Sequence, residues 1–184
     1  MNELSLWYEY LSNESTIEQG DIFTDCLILV PGEEIYLSIS KNIETTEGVD
    51  AKYINGIILS QSCDIENDKI DSLIICPIEP LSDLIKRDDF YKSKKGKIDL
   101  IQGKQPPYHL LDKIQLTNDQ EAIFYIVNFR NIYTIPKSYI NLKTTESPNR
   151  IRLNSPYKEH LSQSFARYFM RVGLPINISE KDLL

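Results

Sequence analysis

Ile54–Pro80 reads INGIILSQSCDIENDKIDSLIICPIEP, and the way this stretch folds decides the architecture. Gly56–Gln61 and Ser72–Ile78 are short runs dominated by Ile, Leu and Cys and bounded by polar residues, the pattern of strands buried on one or both faces. Between them Ser60, Gln61, Ser62, Cys63, Asp64 and Glu66 make a polar, acidic connection. Cys63 and Asp64 stand where the first strand should end, a frequent place for side chains with a task beyond packing.

Upstream, Gly20-Asp21 opens a strand over Ile22–Val30 that Pro31-Gly32 ends, and Ile35–Ile39 alternates as a second strand before a loop over Lys41–Asp50. Leu4, Trp7, Tyr8 and Leu11 have helical spacing within residues 3–11. Downstream, Pro80–Lys95 reads as a helix capped at Ser82, and Ile98–Gly103 as a second helical turn. Tyr108–Leu111 follows Pro106-Pro107 as an edge strand. Ala122–Phe129 is rich in β-branched and aromatic residues and reads as a strand, which Asn131–Ile135 continues or pairs. Arg150–Leu153 is a further short strand. The last element is a helix capped by Ser155, with Pro156 first and Gly173 and Pro175 as its stop; Tyr157, Leu161, Phe165, Tyr168, Phe169 and Val172 form its apolar stripe.

The 184 residues suffice for one domain with its own core. No apolar run approaches the roughly 20 residues that a membrane-spanning helix needs. MNELSLWYEYLSNES carries Glu where a signal peptide carries Lys or Arg. Three unpaired-looking cysteines fit a reducing compartment, so a cytoplasmic address is expected. The net charge of −7 is unevenly spread: residues 1–80 hold 3 Lys+Arg against 16 Asp+Glu, and residues 81–184 hold 17 against 11. Either the two halves present different surfaces to different partners, or they neutralise one another across an internal interface.

GDIF, a loop, GIILSQSCD and then LIICPI, in that order over Gln19–Pro80, resemble the opening of the MazF and PemK toxin family. The resemblance implies a small SH3-like barrel with a helix, a tendency to dimerise, and cleavage of single-stranded RNA. The family's catalytic Arg-Pro pair aligns with Ile54 and Asn55, and its catalytic Thr with Glu79, whose charge would repel an RNA phosphate. The resemblance therefore implies the barrel without the ribonuclease machinery, and neither RNA cleavage nor growth arrest is expected.

Cys63 with His109 as its base, beside Asp64, is the candidate nucleophilic constellation. A neighbouring carboxylate raises a thiol's pKa, however, and a small buried Cys with a turn-capping Asp accounts for the same residues. Asp64-x-Glu66-x-Asp68 has the opening of a calcium loop but places Lys69 where Gly is needed and Ile75 where the bidentate Glu is needed. No zinc-type spacing joins the Cys and His residues, so no metal or cofactor is expected. Lys86, Arg87, Lys92, Lys94, Lys95 and Lys97 interleave with Phe90 and Tyr91, as nucleic-acid-binding patches do and as solvated faces also do. Arg150 and Arg152 share a strand face, and His160, Ser164, Arg167 and Arg171 share a helix face.

These readings lead to an α+β domain spanning residues 1–184. It comprises a curved SH3-like antiparallel barrel or sheet (19–80), a helical insertion (81–104), further strands (105–153) and a packed C-terminal helix (155–173). The expected function is non-catalytic recognition of a protein, or of RNA or DNA, within a bacterial toxin–antitoxin or phage-defence system, with a homodimer left open. Ser60, Gln61, Cys63, Asp64, Arg130, Arg150, Arg152, Arg167 and Arg171 are the expected binding residues, with Asp64 in reach of one of the arginines in a concave site. An endoribonuclease with a site rearranged around Arg150, Arg152, Asp64 and His109, and a cysteine enzyme using Cys63, are the alternatives.

Overall fold

The computed structural model describes residues 6–44, 48–117, 121–146 and 150–170. Its frame is an eight-stranded antiparallel sheet: β1 (Tyr8–Leu11), β2 (Asp21–Pro31), β3 (Val49–Ile58), β4 (Ser72–Pro80), β5 (Tyr108–Ile114), β6 (Ile123–Asn128), β7 (Tyr133–Pro136) and β8 (Arg150–Leu153). The order is β1-β8-β2-β3-β4-β6-β5, with β7 also on β4. The sheet is curved but not closed into a barrel: β1 and β5 end the path, tied by the Tyr8 hydroxyl donating to the Asp112 carbonyl at 2.8 Å. Among the described residues six α-helices accompany it: α1 (Glu33–Ser40), α2 (Ser62–Glu66), α3 (Leu81–Arg87), α4 (Lys94–Ile101), α5 (Lys137–Glu146) and α6 (Tyr157–Phe169).

The central strands are apolar without alternation because both faces of the sheet are covered. Ile57, Leu59, Cys76 and Ile78 point into one core with Phe129, Leu153 and Leu161 of α6. Ile58, Leu73 and Ile75 point into a second core, beneath Ile65 of α2 and Ile140 of α5. Pro77 lies where β4 leaves β7 (Ser72–Ile75) and joins β6 (Ile78–Pro80), so its missing N–H falls at the gap between the two pairings. A third cluster, Leu84, Tyr91, Leu100, Tyr108 and Ile126, seats the helical insertion on β5 and β6.

Several expectations need correction. Residues 8–11 are strand β1 paired with β8, so the helical spacing around Trp7 is incidental. Ile35–Ile39 lies in helix α1, not in a strand, because Glu33 and Glu34 suit a helix N-terminus and nothing pairs there. The polar connection after β3 includes helix α2. The insertion's first helix is capped at Pro80, not Ser82, and breaks at Asp88 into a 3₁₀ turn over Asp89–Lys92. β7 pairs with β4, not β6, and α5 follows Pro136 where only a stop was read. The cap of α6 is Pro156, and Phe169, expected to pack, is exposed. Gly173, Pro175 and Val172 lie outside the described residues.

Gly96 shows how tightly the insertion is built. A Cβ there would sit 2.2 Å from the Phe90 carbonyl oxygen, which is backbone and cannot swing aside. Gly96→Ala is expected to destabilise the fold by about 2 kcal/mol, read as a lower urea midpoint with an unchanged slope.

Candidate functional site

Four of the expected binding residues lie together on the strand end and on α2, and their hydrogen bonds are mostly inward. The Ser60 hydroxyl accepts from the Ile74 N–H at 2.8 Å, locking β3 to β4. The Ser62 hydroxyl accepts from the Gln19 N–H at 3.1 Å, and the Gln19 amide donates to the Leu59 carbonyl at 2.7 Å. Gln61 is the exposed N-cap residue of α2. Cys63 is an exposed free thiol whose side-chain neighbour is Asp64, with Sγ to Oδ1 at 3.9 Å. The ion partner of Asp64 is Lys69 at 3.7 Å; among the described residues none of the expected arginines pairs with it. Arg171 lies outside the described residues. Cys26 and Cys76 are buried, their thiols pushed up to about 11 and about 12, chiefly by burial, so neither is a nucleophile.

Arg150 and Arg152 are committed to the core. Arg152 donates through Nε to Asp21, through Nη2 to Asp21 at 3.1 Å, and through Nη1 to Glu18 at 2.8 Å. Arg150 donates to the Ser15 and Thr16 carbonyls, and its Nε lies 3.2 Å from Asp21, misaligned for a hydrogen bond. Lys158 of α6 closes the cluster on Glu18 at 3.0 Å. Burial pushes the Asp21 carboxyl up while the two guanidiniums pull it back. At this site the opposite charges of the two halves of the chain meet inside the molecule. The lysines at positions 86, 92, 94, 95 and 97 are all exposed, Lys86 and Lys92 pairing with Asp83 and Asp89 one turn away.

The concave site lies elsewhere, between β5 and α6. A cavity of about 450 Å3 is lined by Trp7, Leu100, Ile101, Gln102, Gly103, Tyr108, His109, Leu110, Tyr157, His160, Gln163, Ser164 and Arg167. The helical spacing of His160, Ser164 and Arg167 puts all three on its wall, as their shared face predicts. Trp7 stacks on Tyr157 with centroids 3.9 Å apart and planes 13° from parallel, and His160 stands edge-on to Tyr157 at 6.3 Å. Arg130, exposed, donates to the Tyr108 hydroxyl at 3.2 Å. No family model and no curated protein matches the chain. The resemblance of Gln19–Pro80 to the toxin family therefore stays a resemblance, and the chemistry must be read from the cavity itself.

Two properties of that wall decide what it suits. First, among the described residues it contains no Asp or Glu, while it does contain Arg167 and two histidines. Second, Arg167 is exposed on that wall and forms no salt bridge among the described residues. His109 is held differently: its Nδ1 is 3.0 Å from the Ser164 hydroxyl, and its Nε2 is buried without a hydrogen-bond partner among the described residues. Burial, and then the nearby His160, lowers its pKa to about 4, so the ring is neutral at pH 7. A Ser–His contact whose second ring nitrogen meets no carboxylate lacks the group that orients the base in a hydrolytic triad. Trp7 is the residue that the helical spacing of Leu4, Trp7, Tyr8 and Leu11 hides, and no local sequence signal places it beside Tyr157.

Proposed function

We propose that the chain is a recognition module that takes a nucleotide of single-stranded RNA or DNA in the cavity between β5 and α6. The observation that carries this reading is the meeting, on a wall with no acid among the described residues, of the Trp7–Tyr157 ring stack with Arg167 and His160. Stacked rings extend readily to a third ring, and a guanidinium beside them supplies the phosphate contact that single-strand readers use. The volume lies in the range of small-ligand sites. Recognition without cleavage is supported by the residues at the toxin family's catalytic positions. Glu79 is held by both terminal nitrogens of Arg87 at 2.9 Å and by Asn128 at 3.0 Å, and Ile54 packs against the second core. The resemblance of Gln19–Pro80 is the support for placing such a module in a toxin–antitoxin or phage-defence system.

Trp7 is the only tryptophan in the sequence, so its fluorescence reports on this wall alone. Titration with short single-stranded oligonucleotides is expected to quench it, with weakening at raised salt. Arg167→Ala is expected to lower the affinity about tenfold, the loss of one charge-assisted phosphate contact. The oligonucleotide should be recovered intact. No quenching with RNA or DNA of any composition, or an Arg167→Ala protein that binds as before, would defeat the reading. Cleaved product would restore the nuclease alternative.

A further inference from the structure

Beyond the body of the sheet, β2 and β3 run on as a two-stranded ribbon. β8 pairs with β2 only at Asp21 and Ile22, and β4 pairs with β3 only at Gly56–Ile58, yet β2 and β3 stay paired out to Pro31 and Val49. From Val49 to Tyr53 every residue of β3 is exposed, on both faces. The backbone groups along its outer edge can be assigned from three hydrogen bonds. Leu27, opposite Tyr53, donates its N–H to the Tyr139 hydroxyl instead of to β3. Leu59 donates to Ile74 on the β4 side, and the Ile58 carbonyl accepts from Gly20 on the β2 side. In a regular strand these directions alternate, so the odd-numbered residues Val49, Ala51 and Tyr53 aim their N–H and C=O groups away from β2. Pro31, opposite Val49, has no N–H to lose by this arrangement. The three residues form an edge with no ladder partner among the described residues.

We infer that this edge binds a second copy of the chain, with the two β3 strands antiparallel about a two-fold axis at Ala51. The sequence Val49-Asp50-Ala51-Lys52-Tyr53 is self-complementary in that register. Ala51 meets Ala51 as a hydrogen-bonded pair, and Val49 meets Tyr53 as another. Asp50 meets Lys52 in the non-hydrogen-bonded positions, where opposed side chains come closest. Moving the axis by one residue to Asp50 or Lys52 would set like charges directly opposite. Charges on an edge strand ordinarily discourage pairing; here they admit one register and reject its neighbours. The axis keeps faces together, so Leu29 and Tyr53, 63% and 70% exposed, would join their symmetry mates in one apolar strip. The inference does not rest on the cavity or its ligand.

Sedimentation velocity over a concentration series tests it. The wild-type chain is expected to dimerise reversibly. Asp50→Lys and Lys52→Asp should each weaken the dimer by about tenfold or more, because each sets lysines or aspartates opposite one another twice per interface. The double exchange, Asp50→Lys with Lys52→Asp, should recover wild-type association to within about threefold. The side chains at positions 50 and 52 are solvent-exposed in the single chain, so the variants should melt alike when measured as monomers. A wild-type chain that stays monomeric would overturn the inference, including the case in which an extended segment of another protein fills the edge. So would single variants that associate normally, or a double exchange that fails to restore what the singles lose.

Discussion

Asp21→Asn is expected to cost about 3–5 kcal/mol of folding stability, the largest effect of any single conservative change in this molecule. The carboxylate is fully buried and receives Arg152 through two nitrogens, the Glu18 N–H at 3.1 Å and the near charge of Arg150. Asn keeps the shape and one acceptor but removes the charge that compensates two buried guanidiniums. Neither arginine can shed its proton, and neither can reach water without unpairing β8 from β2. Urea unfolding at pH 7 would measure the loss; a change below about 1 kcal/mol would mean that Glu18 alone balances the cluster. The cluster also seats α6 through Lys158, so cavity binding should weaken in the same variant.

The second large effect is a loss of stability in mild acid that depends on His109. Its folded pKa of about 4 lies below the usual value of 6.5, so between these values the unfolded chain holds a proton that the folded chain refuses. Stability from this residue is therefore complete above about pH 6.5, declines as pH falls, and is gone below about pH 4. A shift of this size corresponds to about 3 kcal/mol across the window. The residue as a whole is only half-buried, but the titrating ring has its Nε2 fully covered, and His160 and Arg167 share its cavity. Carboxylates contribute their own acid dependence, so the comparison that matters is between proteins. His109→Gln should flatten the stability profile between pH 6.5 and pH 4 while leaving the steeper loss below it. Parallel profiles for the two proteins would show that the ring is protonated freely in the fold.

The central strands were legible because buried strands need apolar side chains on consecutive positions, and few other structures do over so short a run. The strands read at Ile22, Gly56, Ser72 and Ala122 appear as β2, β3, β4 and β6, adjacent in one sheet. Ile35–Ile39 was not legible: five residues satisfy a period of two and a period of 3.6 almost equally, and α1 buries none of its side chains to break the tie. The segment before Leu11 failed for a different reason. Its strand character comes from pairing with β8 far along the chain, which local spacing does not contain. The same holds for the candidate site. His160, Ser164 and Arg167 were visible as one helix face, but Trp7 and His109 join them only through tertiary packing. The arginines at positions 150 and 152 carried the charge a binding site would need, and their strand position gave no sign that Asp21 and Glu18 would claim them.

The cavity's walls come from widely separated parts of the chain: Trp7 before β1, His109 in β5, and the row from Tyr157 to Arg167 in α6. Asn154 even reaches back to the Leu6 carbonyl, 148 positions away. On a ribosome, strands β2, β3 and β4 can pair as soon as they emerge, since their contacts are local. Trp7 must wait, unstacked, until Tyr157 has been made. Such distant closures are slow steps, and the cavity's wall is built by the last of them. A nascent chain would therefore pair its central strands well before the cavity's wall was complete, and the Trp7–Tyr157 stack would close only once translation had passed α6.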